Sequence, residues 1–160
     1  MVEIVTSRFG PLEIPDENVL TFQAGLIGFS QHTRFSLLGG ERGLGYEWLQ
    51  SLDDGKIAFV VVQPGLIKPD YHIEIQDDAL HDIEFQEGDD VVVLSIVTVP
   101  PDEPEKATVN LQGPLVINAT RNRGKQIIHN ESFPIRYPLH SAKPEVEQEV
   151  KNPAQTAVNT

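Results

Sequence analysis

Apolar residues in this chain come in short runs cut by glycine, proline, asparagine and aspartate, the mark of strands joined by tight turns. The pattern predicts strands at Val2–Thr6, Pro11–Ile14, Val19–Phe22, Phe35–Leu38, Tyr46–Gln50 and Ile57–Val62. Further strands are predicted at Tyr71–Ile75, Val91–Val99, Thr108–Leu111, Leu115–Asn118 and Gln126–His129. Turns are expected at Phe9-Gly10-Pro11, Asp53-Asp54-Gly55-Lys56 and Asn122-Arg123-Gly124-Lys125, where glycine tolerates positive φ and Asp or Asn bonds its own backbone. Val91–Leu94 is apolar without a break, which asks for cover on both faces of that strand. One stretch reads as helix: Asp77-Asp78 ahead of Ala79, Leu80 and Ile83 puts an acidic start before an apolar stripe. Twelve prolines and twelve glycines spread along the chain leave no room for long helices. The expected fold is all-β with one or two short helices, a single antiparallel β-barrel-like domain over residues 1–139. Residues 140–160 are polar and are expected to form a mobile tail.

Composition narrows the chemistry. At 160 residues the chain fits one domain. It has no cysteine, so a disulfide framework, a cysteine metal knuckle and a thiol nucleophile are excluded. The longest apolar run, Val91–Val99, falls well short of the ~20 residues of a membrane-spanning helix. Met1–Thr6 lacks the basic patch and apolar core of a secretory signal, so a cytoplasmic location is expected.

Candidate catalytic patterns do not assemble. Gly28-Phe29-Ser30-Gln31-His32 lacks the second glycine of a nucleophile elbow and reads as a loop. The glycine-rich stretch Gly39–Gly45 has no Gly-Lys-Ser/Thr ending and is followed by strand, so it reads as a hairpin loop. Asp77, Asp78, His81 and Asp82 are close in sequence, but the alternating ligands and central glycine of a calcium loop are absent. Asn118-Ala119-Thr120 and Asn130-Glu131-Ser132 match glycosylation acceptors, without meaning in a chain that is not secreted. No cofactor, metal or catalytic residue is expected.

Charge is the informative property. The net charge is −12, which repels nucleic acid phosphates and anionic lipid and attracts a basic partner. From Gln76 to Asp90 stand seven carboxylates, Asp77, Asp78, Asp82, Glu84, Glu87, Asp89 and Asp90, and no Lys or Arg. Crowding like charges costs stability, so this segment is the candidate docking surface, against a merely solvated face. Arg121, Arg123 and Lys125 form a small basic turn, expected at a hairpin tip and too small for nucleic acid.

Several phrases, taken in order, resemble one family. They are Thr6 with Phe9-Gly10 and Glu13-Ile14, then Phe22-Gln23-Ala24-Gly25-Leu26-Ile27-Gly28-Phe29 and Trp48-Leu49-Gln50-Ser51-Leu52-Asp53-Asp54. They continue through Ala58-Phe59-Val60-Val61 with Pro64, Asp70-Tyr71, Asn110-Leu111-Gln112-Gly113-Pro114-Leu115-Val116-Ile117-Asn118 and Gln126. Over residues 1–138 the chain is similar to the bacterial flagellar assembly factor FliW, with Ile27 and Gly55 where the pattern has proline and Ser30 where it has an acidic residue. The resemblance implies a non-catalytic β-barrel-like protein. It implies binding to the translational repressor CsrA away from its RNA groove, relieving repression of flagellin messenger RNA, with flagellin as the competing partner. By the same resemblance Trp48, Leu49, Asn110, Gln112 and Asn118 are candidate partner-binding residues, with core and ladder roles as the alternative. The other classes weighed are a small carbohydrate-binding or carboxylate-dependent hydrolytic barrel, and a chaperone that only shields flagellin.

Overall fold

The valine-, isoleucine- and aromatic-rich runs satisfy their backbone hydrogen bonds in a sheet that closes on itself. The computed structural model describes residues 1–39, 45–129 and 133–139. The expected tail at 140–160, most of the glycine-rich loop (40–44) and the Asn130–Ser132 acceptor lie outside the described residues.

The strands are β1 (Val2–Thr6), β2 (Gly10–Ile14), β3 (Leu20–Thr21), β4 (Arg34–Gly39), β5 (Tyr46–Ser51) and β6 (Ala58–Val62). Then come β7 (Val91–Thr98), β8 (Thr108–Val109), β9 (Leu115–Asn118), β10 (Arg123–Gln126) and β11 (Tyr137–Pro138). Two short helices, α1 (Pro64–Ile67) and α2 (Asp77–Asp82), lie between β6 and β7. Seven strands form the ring, in the order β7-β6-β5-β4-β3-β10-β9 and back to β7. The last joint runs from Val91↔Asn118 to Leu94↔Leu115. Ring pairings are antiparallel except one, where β3 and β10 meet in parallel at the single pair Arg123↔Thr21. Beyond the ring, β8 extends the sheet from the end of β7 and carries β11. The expected all-β barrel with short helices is the observed fold.

Period-two alternation sorts side chains to the two faces. Phe22, Phe35, Leu49, Val61, Leu94, Leu115 and Ile117 fill the barrel interior, with Phe22 set edge-on to Phe35 at 5.5 Å. Gly124 is required there, because a Cβ at that position would lie 2.4 Å from the Phe22 ring. A second cluster covers the outside of β6–β8 with Val62, Tyr71, Val97, Ala107, Val109 and Leu111. Val91 and Val93 line a cavity beneath Tyr71 and Ile73, while Val92 and Leu94 belong to the interior cluster. The unbroken apolar run thus packs one face on the barrel interior and turns the other, only half-buried, to this open cavity, so the expected cover is complete on one face alone.

Two local expectations are corrected. Tyr71–Ile75 is not a strand: it enters no ladder, although the side of Val91–Leu94 that faces away from β9 is left unpaired by β6. That segment crosses the outer face instead, anchored by the buried Tyr71, whose hydroxyl donates to the Leu111 carbonyl at 2.6 Å. The last ring strand begins at Arg123, not Gln126, because the reversal lies at Ala119–Asn122, where Asn122 takes φ +58°. The short elements α1 and β11 leave no periodic trace in so few residues.

The β1–β2 hairpin is a separate two-stranded sheet. Ser7 donates its N–H to Gly55 O at 3.0 Å, and Phe9 meets Trp48 edge-on at 6.1 Å. A Cβ on Gly55 would lie 2.0 Å from the Val5 carbonyl oxygen, so only glycine allows the hairpin to seat.

Candidate partner-binding surface

The acidic segment is built on α2 and the loop that leads to β7. Ala79 and Ile83 point inward and are buried, which leaves Asp77, Asp78 and Asp82 on the outer side. Asp78 accepts the Ala79 N–H at 2.8 Å. The loop then turns through Glu84 at φ +56° and Gly88 at φ +94°.

The structure brings the basic hairpin onto this acidic segment. Arg121 pairs with Asp89 at 2.8 Å, Arg123 with Glu84 at 3.3 Å and Lys125 with Asp82 at 2.9 Å. Pairing of β9 with the start of β7 sets residues 118–125 beside residues 89–91. Sequence reading missed this juxtaposition, because the partners stand 32 or more residues apart and no local pattern links them. The one available signal was the spacing of Arg121, Arg123 and Lys125 at every second residue.

Asp89 turns its carboxylate back onto the fold, with 5% of the side chain exposed and the residue as a whole half-buried. Its Oδ2 accepts from Asn118 Nδ2 at 2.9 Å, Arg121 Nε at 2.8 Å and the Gln86 N–H at 2.9 Å. The Asn118 amide bond is the main reason its carboxyl is held below the usual carboxylate range; burial opposes the shift, and Gln86 and Arg121 add to it. Asp77, Asp78, Glu87 and Asp90 are exposed and belong to none of the ion pairs among the described residues. Beside them, Glu74, Gln76, Asp78, Lys125, Ile128 and His129 help to line a cleft of about 250 Å³, with Ile128 55% exposed.

The residues named by resemblance fall in different places. Leu49 is fully buried in the barrel interior. Trp48 lies on the opposite face of β5, half-buried, with the Arg8 guanidinium 3.9 Å above its ring. Asn110 Oδ1 accepts from the N–H groups of Gln112 and Gly113 at 3.0 and 2.8 Å, and Gln112 Nε2 donates to Phe133 O at 3.3 Å. Asn118 is fully buried: Nδ2 donates to Ile83 O and Asp89, and Oδ1 accepts from the N–H groups of Thr120 and Arg121. Asn110 and Asn118 therefore fasten loops, as does Gln126, which accepts from Ile27 N–H and donates to Gly113 O, both at 2.8 Å.

Other titrating groups are held singly. Burial works against the charged form of Asp53, but hydrogen bonds from the Arg34 and Thr33 N–H groups and from the Arg34 side chain outweigh it and lower its pKa. Burial pushes the Tyr71 hydroxyl up to about 12. Among the described residues no three His, Asp or Glu side chains converge to hold a metal, and no helix is long and apolar enough to cross a membrane.

Comparison with known proteins agrees with this architecture. The FliW protein family profile matches residues 3–139. The flagellar assembly factor FliW of Natranaerobius thermophilus is 39% identical over 139 residues, covering 86% of this chain and 92% of that protein. The Leptospira biflexa protein of the same name is 35% identical over 92% of this chain and 97% of its own. A crystal structure of the flagellar assembly factor FliW superposes with a TM-score of 0.78 at 30% identity, covering 90% of this chain and 99% of that one. The chain belongs to the FliW family of flagellar assembly factors.

Proposed function

We propose that this protein regulates flagellar assembly in the cytoplasm by partner switching, without catalysis. It binds a CsrA-type RNA-binding translational repressor and so relieves repression of flagellin messenger RNA, and free flagellin competes for it. The observation that carries the reading is the exposed carboxylate group Asp77, Asp78, Glu87 and Asp90, which forms no ion pair among the described residues. Asp77 and Asp78 stand on α2, and Glu87 and Asp90 on the loop after it, which Asp89 and Asn118 fix from behind. A protein that binds RNA must present Lys and Arg to phosphate, and such a partner is the natural complement to this face. Two unit charges ~10 Å apart interact by roughly 0.4–1.7 kcal/mol at an effective dielectric of ~20–80. Four acting together weaken RNA binding without entering the RNA groove, a coupling between two sites.

Flagellin is assigned a second surface, from which it competes by unfavourable coupling to the first and not by occupying it. An amphipathic helix lays its apolar face in a groove, and the cavity of about 390 Å³ lined by Pro64, Tyr71, Ile73, Val91 and Val93 offers one. The hydrolytic alternative asks for two carboxyl groups with shifted pKa in one cavity. Among the described residues, Asp53, Asp70 and Asp89 are the carboxylates whose pKa departs from its ordinary value, each is lowered by its own partner, and they sit in three separate loops.

Charge reversal tests the reading. Asp77→Lys with Asp78→Lys should weaken repressor capture and restore RNA binding by the repressor at physiological salt, while flagellin binding persists. Unchanged inhibition of RNA binding by the double variant would overturn it.

A further inference from the structure

Between the end of β6 and the start of β7 the barrel wall is open. At the head of the β7–β9 seam the Ala119 N–H donates to Asp90 O at 2.8 Å. The register then runs Val91↔Asn118, Val92↔Ile117, Val93↔Val116 and Leu94↔Leu115, and bonding residues alternate along an antiparallel ladder. Val92 and Leu94 therefore bond to β9, while Val91 and Val93 turn their N–H and C=O groups to the other side. On that side β6 stops at the pair Val62↔Ser95. Two residues further it would set Pro64 opposite Val93, but Pro64 has no N–H to give and opens α1 instead. The N–H and C=O groups of Val91 and Val93 on this edge meet no partner among the described residues.

The edge looks onto the cavity of about 390 Å³ whose lining includes Pro64, Tyr71, Ile73, Val91 and Val93 and bears no charged side chain. The carboxylates next along the chain, Glu74 after Ile73 and Asp90 before Val91, are exposed and in no ion pair among the described residues. Lys68, the nearest lysine or arginine in sequence, is engaged by Asp70 at 2.8 Å. The free charge around the cavity is negative.

Unpaired N–H and C=O groups in a row are a template for another strand, and extended peptides join sheets in this way. A helix satisfies its own backbone, so an apolar helix in this cavity would leave the edge unused. We propose that the Val91–Val93 edge accepts an extended peptide segment of a partner protein, with apolar side chains at alternate positions and Lys or Arg at its ends. Its backbone exchanges hydrogen bonds with Val91 and Val93, and every second side chain packs toward Tyr71 and Ile73. Its cations lie toward Asp90 and Glu74. A second copy of this chain is a poor occupant, because pairing two copies brings together like net charges of −12. This binding mode is independent of the partner-switching reading, although strand and helix would exclude each other from the one cavity.

Hydrogen exchange on the ¹⁵N-labelled full-length chain tests it. In the free protein the Val91 and Val93 amides should exchange faster than those of Val92 and Leu94, which are bonded to β9. The synthetic peptide acetyl-Lys-Val-Thr-Val-Thr-Val-Lys-amide should bind saturably and slow exchange at Val91 and Val93 by about tenfold or more. N-methylation of alternate peptide amides should abolish binding in one of the two possible sets and spare it in the other, since only one set faces β7. Glutamate in place of both peptide lysines should weaken binding. Val93→Pro removes one edge N–H without touching the β9 ladder and should also weaken it, with melting curves recorded alongside. Asp77→Lys with Asp78→Lys should leave peptide binding intact, so the acidic-face reading and this one succeed or fail separately. No binding, equal binding by both N-methylated forms, Val91 and Val93 amides already protected in the free chain, or dimerisation through this edge would each overturn the proposal.

Discussion

Asn118 uses all four of its side-chain hydrogen-bonding positions inside the fold, joining Ile83 and Asp89 to the turn at Thr120 and Arg121. Asn118→Ala leaves buried partners unmatched and should destabilise the chain by ~1–3 kcal/mol, read as a lower urea midpoint at unchanged slope. The lowered pKa of Asp89 gives this cluster an acid limit. An unfolded carboxyl has its ordinary value near 3.8, so as acid is added the unfolded state takes up protons first. The Asp89 contribution is therefore complete at neutral pH and is lost as pH falls from about 4 through the lowered native value. In Asp89→Asn the stability curve should be flatter below about pH 4 than in the wild type, measured by urea unfolding at a series of pH values. Gly124 limits the interior instead: Gly124→Ala drives a methyl against Phe22 and should cost ~1–3 kcal/mol through overpacking.

At the scale of the element, α2 with its loop and the β9–β10 hairpin form one electrostatic unit. Lys125–Asp82 and Arg123–Glu84 are partly exposed pairs, and such pairs contribute about 0–1 kcal/mol. Lys125→Gln should therefore lower stability by less than about 1 kcal/mol while uncovering Asp82 and raising the association rate with a basic protein partner, a split that stopped-flow binding and thermal melts resolve together. The sequence made α2 visible, because Asp77-Asp78 before Ala79 and Ile83 is a local pattern. Its pairing with Arg121, Arg123 and Lys125 was hidden, because strand register is set by the whole barrel rather than by neighbours. The same limit explains Tyr71–Ile75, whose residues suit a strand but pair with none. It also explains Asp89, which local charge places on the surface and tertiary hydrogen bonding draws inward.

For the whole molecule, the net charge of −12 should make the proposed capture of a basic repressor steeply dependent on salt, since the Debye length falls from ~30 Å at 0.01 M to ~8 Å at 0.15 M. A log–log plot of association rate against ionic strength should slope downward for the basic partner and remain nearly flat for flagellin docking through an apolar groove. The barrel itself was legible from its short runs and turn residues, and its closure was expected from the need to protect strand edges. The way it closes was not, because a single parallel residue pair has no sequence signature.

That joint sets where the cylinder yields. Every other seam is laced by two or more residue pairs, but β3 and β10 are held by Arg123↔Thr21 and the Thr21 N–H to Asn122 O bond at 2.9 Å. Thermal breathing should begin there, like a hoop parting at its weld, and the first ring wetted would be that of Phe22. Amide exchange at Thr21 running ahead of Leu49 and Val61 would trace that rupture line.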